Sequence, residues 1–371
     1  MLLVVIVFLL AYALLIRYYR KGWDSLSGYR APGNDARVFV SIIVPARNEE
    51  KAIIPLLHAL SHQHYPASLF EVIVVDDFST DDTAGSVALH AAANVRLIKP
   101  AADARHSSKK KAIEAGIAAA KGELIVTTDA DCLPPVSWLR TLADFYAEKG
   151  ASFIAAPVKF SYDGSWLQKF QALDFLTLQG ITAASVATGF HTMCNGANLA
   201  YRKQAFVDVD GFAGIDRVAT GDDMLLMYKI WKKDPSRVFY LKSRDAVMST
   251  TPMTTLRGFI MQRKRWASKT LVYDDRRILA VLAFVYLLNL LFPLLLVWAF
   301  FNIQFLLLAA GFWVTKTLIE WPFINAVAAF YRERKLMRLF FWFQPLHMLY
   351  TVFVGLLSQF GRYEWKGRRT K

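Results

Sequence analysis

Cysteine is scarce. Cys132 and Cys194 are the only two in 371 residues, which excludes a disulfide framework and any zinc-ligand spacing. Also missing is a basic stretch ahead of the first apolar run. Met1 leads straight into Leu2 to Ile16, and Arg17, Arg20 and Lys21 come after it. That order reverses a cleaved signal peptide and predicts an uncleaved anchor, its N-terminus outside and the next segment in the cytoplasm. Acidic residues are in deficit, 30 against 44 Lys and Arg, for a net charge of +14. Such an excess often marks a nucleic-acid binder. Here the basic residues instead cluster beside apolar runs: Arg17, Arg20 and Lys21; Arg263, Lys264 and Arg265; Arg332, Arg334 and Lys335. They read as cytoplasmic flanks of membrane segments that meet anionic lipid headgroups, and no nucleic-acid partner is expected.

What is plentiful is apolar sequence, 55% of the chain, gathered at the two ends around a middle of ordinary soluble composition. The expected organisation is a transmembrane anchor over 1–21, a linker over 22–37, a cytoplasmic domain over 38–254, an amphipathic interfacial helix over 255–272 and a C-terminal membrane region over 273–371. Ile278 to Phe301, Phe305 to about Ile324, and Phe340 to Phe360 are the C-terminal span candidates, of which two to three cross. Lys316 and Glu320 fall within the second, four residues apart on one helix face, where they can pair. Four full crossings would leave the basic tail Gly361 to Lys371 outside, against the positive-inside rule, so one C-terminal segment is expected to be re-entrant or interfacial.

In the middle region, Val- and Ile-rich runs alternate with helical spacing. Strands are predicted over Val38 to Val44, Glu71 to Val75, Val95 to Ile98 and Glu123 to Thr128, with helices over Glu49 to Ser61, Asp81 to Ala92 and Lys110 to Ala120. Strands buried on both faces and separated by helices describe a mostly parallel α/β sheet, whose ligands bind beyond the carboxyl ends of the strands.

Carboxylates gather at those ends. Strand one runs into Pro45-Ala46-Arg47-Asn48-Glu49-Glu50 and strand two ends in Asp76-Asp77. Adjacent carboxylates repel unless something binds them; alternatively, Asp77 or Ser79 caps the following helix. Strand four ends in Asp129-Ala130-Asp131, two carboxylates able to face one hard cation completed by phosphate oxygens and water. Thr220-Gly221-Asp222-Asp223 precedes a helix from Met224 to Trp231, so its acids are either a helix cap or a general base for an incoming hydroxyl. Gln262-Arg263-Lys264-Arg265-Trp266 lies on a basic amphipathic helix suited to a membrane surface.

In this order, from about Val38 to Lys269, these motifs are similar to the series found in family 2 glycosyltransferases, and the flanking spans suit the membrane-bound branch with cellulose, hyaluronan and ceramide-glucoside synthases. The resemblance implies a GT-A fold (Rossmann-like α/β), a nucleoside-diphosphate-sugar donor, often a UDP-sugar, and Mg²⁺ or Mn²⁺. It implies that Asp77 binds the donor's base with Pro45, Arg47 and Glu49 beside it, and that Asp129 and Asp131 hold metal and diphosphate, with Asp129 also a donor contact. Asp223 matches the catalytic base, with Asp222 the second choice because Asp-Asp replaces the family's Glu-Asp. Gln262, Arg265 and Trp266, together with Asp222, match the diphosphate contact and acceptor roof, and Asn195 and Gly196 the acceptor pocket. Lys109 matches a donor-side lysine, although Lys110 and Lys111 compete for that role and Glu114 replaces the usual Asn.

The expected enzyme is an inverting hexosyltransferase of the cell envelope, multi-pass in the inner membrane with its catalytic domain cytoplasmic, that passes sugar to a lipid or lipid-linked glycan. A processive polysaccharide synthase is the alternative. A nucleotidyltransferase is disfavoured because no Gly-rich loop follows strand one. A non-catalytic nucleotide-sugar-binding component is the reading from another class.

Overall fold

The computed structural model describes residues 1–33, 37–100, 108–191, 193–216, 221–268 and 275–358, and the backbone alone of 363–365 and 368–370. Thr220, the end of the expected interfacial helix at 269–272, linker residues 34–36 and the side chains of the basic tail lie outside the described residues.

The chain opens with helix α1 (Leu2–Ser25), which runs four residues past the expected anchor into the linker. The α/β core follows: β1 (Val40–Ala46), α2 (Ile53–Ser61), β2 (Phe70–Asp76), α3 (Thr83–His90), β3 (Val95–Ile98), α4 (Lys109–Ala119), β4 (Leu124–Thr127) and α5 (Trp138–Lys149). Then come β5 (Phe153–Ala155), β6 (Val158–Phe160), α6 (Trp166–Thr188), β7 (Leu199–Arg202), α7 (Lys203–Val207), α8 (Met224–Lys233), β8 (Val238–Tyr240) and β9 (Met248–Thr250). Helices α9 (Leu256–Ser268), α10 (Arg276–Ala299), α11 (Gln304–Phe330) and α12 (Met337–Ser358) complete the helical part, and β10 (Tyr363–Trp365) pairs with β11 (Arg368–Thr370).

Seven strands form the main sheet in the order β3-β2-β1-β4-β7-β5-β8. Neighbours are parallel except β7, which runs antiparallel to both β4 and β5. β6 and β9 form a separate parallel pair. The predicted mostly parallel sheet is therefore present. β1 sits two residues later than its apolar run suggests, because Pro45 and Ala46 still pair with Val75 and Asp76. The strand order reverses between β1 and β4, which makes the crevice outside their carboxyl ends the place for a ligand.

Every residue of β2 is buried, as both-face coverage demands. α6 was not legible in the sequence: residues on all its sides are buried, so no polar stripe alternates with an apolar one. It is the platform on which the membrane helices stand. α1 buries Val5, Leu9, Tyr12, Ile16, Tyr19 and Trp23 on one stripe, while Leu3, Leu10 and Leu14 on its other faces are exposed. A surface that is apolar outside as well as inside suits hydrocarbon.

Gly22 lets α1 approach α6 closely, since a Cβ there would lie 2.7 Å from the Ala184 carbonyl oxygen. Gly22→Leu is expected to cost about 1–3 kcal/mol through overpacking, read as a lowered thermal midpoint in detergent; an unchanged midpoint would show that this contact yields freely.

Among the described residues, three helices are long and apolar enough to cross a membrane: Leu2–Ser25, Arg276–Ala299 and Arg334–Ser358. The C-terminal span candidates are thus two. The segment over α11 falls short, and its Lys316 and Glu320 pair at 2.6 Å. Both are buried, and they extend to Gln344 of α12 and to the Tyr12 hydroxyl of α1, which donates to Glu320. Buried charges satisfied this way tie three apolar helices together.

Candidate active site

A cavity of about 1040 Å³ opens beyond the carboxyl ends of β1, β2 and β4. It is lined by Pro45, Arg47 and Glu49 after β1, Asp77 after β2, Lys109 on α4, Asp129 and Asp131 after β4, Asn195 and Gly196 before β7, Asp222 and Asp223 before α8, and Gln262, Arg265 and Trp266 on α9.

The loops after β1 and β2 are stitched together. Arg47 donates to the carbonyls of Asp77 (2.6 Å) and Phe78 (3.0 Å), and the Asp77 N–H donates to the Ala46 carbonyl at 2.8 Å. Thr80 donates its N–H to Asn48 Oδ1, and the Asn48 N–H reaches Ser79 Oγ. Capping does not explain Asp77: α3 begins later, and Asp82 accepts from the Gly85 N–H as its cap. Asp76 takes the local turn, accepting from the Ser79 N–H at 2.9 Å. Arg47 serves here to shape the wall around Asp77, a role its position in the sequence did not reveal.

After β4 the chain alternates: Ala130 is buried, Asp129 half-buried and Asp131 exposed, and both carboxylates border the cavity. Among the described residues no group of three His, Cys, Asp or Glu side chains converges on a metal position. Two carboxylates fit a hard cation that completes its shell with phosphate oxygens and water, as Mg²⁺ characteristically does.

Lys109 bridges this pair to the other acids. Its Nζ lies 2.6 Å from Asp129 Oδ1 and 3.2 Å from Asp222 Oδ2. Burial disfavours its charge, but Asp129 and Asp222, with Asp223 behind, outweigh that and hold its pKa above the ordinary lysine value. Lys110, a competing candidate, turns away to the Ile215 carbonyl. Gly196 packs below the lysine; a Cβ there would come 3.3 Å from Lys109 Nζ. Lys109→Met is expected to lower kcat/KM for a nucleotide-sugar donor about tenfold or more, because Asp129, Asp222 and an incoming diphosphate are then left to repel one another. Equal values in the two proteins would assign Lys109 to folding alone.

Asp222 and Asp223 separate clearly in space. Asp222 is taken up by Lys109. Asp223 is buried and held by main-chain donors, with Met224 N–H at 2.8 Å on Oδ1 and Gly196 N–H at 3.3 Å on Oδ2. It therefore touches its helix start, as a capping residue would, while also bordering the cavity.

Residues 41–219 match the family model for glycosyl transferase family 2. These residues form a family 2 glycosyltransferase domain. The chain is 32% identical over 124 residues to glycosyltransferase AglE of Haloferax volcanii, covering 33% of this chain and 40% of that protein. It is 29% identical over 238 residues to the beta-monoglucosyldiacylglycerol synthase of a Nostoc species, covering 62% of this chain and 48% of that protein. The matches thus span less than half the length of these curated relatives. In fold it resembles the mannosyltransferase PcManGT of Pyrobaculum calidifontis, solved with GDP-Man and Mn²⁺, at a TM-score of 0.60 and 21% identity over 97% of this chain and 99% of that one. The core is GT-A-like, as the motif series implied.

The family 2 domain does not supply the whole cavity. Its apolar part is lined by Leu282 and Tyr286 of α10 and Tyr350 and Val354 of α12, beside Phe175 and Leu178 of α6 within the domain. None of these was a candidate from sequence. Their only signal is membership of apolar runs, which is indistinguishable from lipid contact.

Proposed function

We propose that this chain is an inverting glycosyltransferase that moves a sugar from a nucleoside-diphosphate sugar to a lipid acceptor at the cytoplasmic face of the membrane. The observation that carries this reading is the continuity of one cavity from the carboxylates after β4 and before α8 to the apolar walls of α10 and α12. A polar reacting group and an apolar chain on one acceptor need such a site. The name of the Nostoc relative, a synthase of a glucosylated diacylglycerol, supports the same acceptor class.

In this reading Asp77 and the Arg47 loop hold the donor's base, and Lys109 and Arg265 face its diphosphate. Asp129 and Asp131 would hold a divalent cation, which would supply charge neutralisation for the leaving group. Asp223 accepts the proton of the acceptor hydroxyl as the oxygen attacks the anomeric carbon. The bond from that carbon to the diphosphate oxygen breaks, and the nucleoside diphosphate leaves with the electron pair. One displacement inverts the anomeric centre, so an α-linked donor gives a β-glycoside. Main-chain donors on both Asp223 oxygens orient the carboxylate beside the cavity. Gln262 and Trp266 roof the acceptor, with Asn195 and Gly196 opposite.

A panel of nucleotide sugars incubated with the full-length protein and native membrane lipids, with and without EDTA, tests this by mass analysis of the products. Metal-dependent addition of one hexose mass to a lipid supports it. A ladder of additions points to a processive synthase, and failure to release nucleoside diphosphate from any donor refutes it.

A further inference from the structure

One carboxylate outside the motif series gathers three helices. Asp174, on α6, is buried. Arg263 of α9 places Nη2 2.7 Å from Asp174 Oδ2, at ion-pair distance though without hydrogen-bond alignment. From α12, the Tyr350 hydroxyl donates to Asp174 Oδ1 at 2.6 Å and His347 Nδ1 lies 3.2 Å from the same oxygen. Burial alone would push the Asp174 carboxyl up; Arg263, with His347 and Tyr350, reverses this and holds it lowered to about 2.

The guanidinium of Arg263 is buried as well, and it lies over the Trp266 ring at 4.2 Å and the Phe259 ring at 5.1 Å. Its nitrogens are buried and make no hydrogen bond; Arg263 borders the cavity, and its charge is met by Asp174 and the two rings. It fixes the rotation of α9, and with it the roof residues Arg265 and Trp266 one turn or less away. Asp174 also fixes α12, which lends Tyr350 and Val354 to the apolar end of the cavity.

We propose that Asp174 is a positioning residue: by holding Arg263 of α9 and His347 and Tyr350 of α12 on one carboxylate, it sets the cavity's roof against its apolar wall and aligns the lipid acceptor with the donor. This inference rests on the lipid-acceptor reading. A buried ion pair is a costly way to pack helices, since apolar residues of similar volume do so at least as well. A role in alignment gives the pair a function that packing does not.

The test uses full-length protein in detergent–lipid micelles, with a total lipid extract of the native membrane as acceptor probe and the donor selected by the panel. For Asp174→Asn, kcat/KM for transfer to lipid is expected to fall on the order of 10- to 100-fold, the scale of a small misplacement. Donor KM and acceptor-independent donor hydrolysis change by a clearly smaller factor, the share carried through Arg265. Tyr350→Phe shifts transfer in the same direction by a smaller factor.

The double variant Asp174→Leu/Arg263→Met separates alignment from packing. It is expected to melt at or above the wild-type temperature and to transfer as poorly as Asp174→Asn. Wild-type transfer by the double variant, or an equal loss of donor hydrolysis in Asp174→Asn, overturns the positioning role while leaving the acceptor reading intact. Wild-type protein that hydrolyses donor and labels no lipid refutes the acceptor reading, and this inference with it.

Discussion

Asp223→Asn is expected to lower the rate of sugar transfer about 1000-fold, within the span attributed to a positioned general base, while the affinity for nucleoside diphosphate changes little. The amide keeps the shape and can still accept the main-chain N–H of Gly196 or Met224, but it cannot take a proton from the acceptor. Asp222→Asn should behave differently. Its Oδ2 is paired with Lys109 at 3.2 Å, so its charge is already engaged in holding that ammonium. Loss of that pair is expected to raise donor KM and to cost about tenfold or less in kcat. Single-turnover rates of both variants with saturating donor decide the assignment. Near-normal transfer by Asp223→Asn alongside complete loss in Asp222→Asn would falsify it and make the lysine-paired carboxylate the base.

The second large effect concerns Asp129 and Asp131. Asp129→Asn and Asp131→Asn are each expected to cut kcat about 100- to 1000-fold, the size of loss that follows removal of one preorganised stabiliser of transition-state charge. The double substitution should cost little more, because carboxylates sharing one cation act as a unit. EDTA should reproduce the loss in the unmodified protein, with recovery on adding Mg²⁺ or Mn²⁺. The two substitutions should not be identical in other respects. Asp129 also holds Lys109 at 2.6 Å, so its replacement should disturb the lysine and weaken donor binding as well. Full activity in EDTA would remove the cation from the reaction and leave Lys109 and Arg265 as the groups facing the diphosphate.

Much of this was readable in the chain itself, for definite reasons. A strand covered on both faces is mostly apolar, so β1, β2 and β4 announced themselves as runs of Val and Ile, and the acids stood out at their ends. The turn carrying Arg47, the acids at 77, 129, 131, 222 and 223, and Gln262, Arg265 and Trp266 could be placed at strand ends or helix starts because those ends are marked by period and by turn residues. Helix α6 left no such mark, since it is buried all round and shows no alternation. The span over α11 was ambiguous for a similar reason: Lys316 and Glu320 look costly in an apolar run until Tyr12 and Gln344, far away in the chain, are seen to satisfy them.

By itself, then, the sequence determined the α/β core, the apolar ends and the acidic chemistry at the strand tips, all of which follow from local periodicity and from the cost of unpaired carboxylates. Packing in three dimensions brings Lys109 into the site and pairs it with Asp222. It alone joined the polar end of the cavity to the membrane helices and placed Arg263 on Asp174. Each of these depends on contacts between residues tens to hundreds of positions apart, and a pairing across that distance is set by how helices pack on the sheet, which no local pattern records.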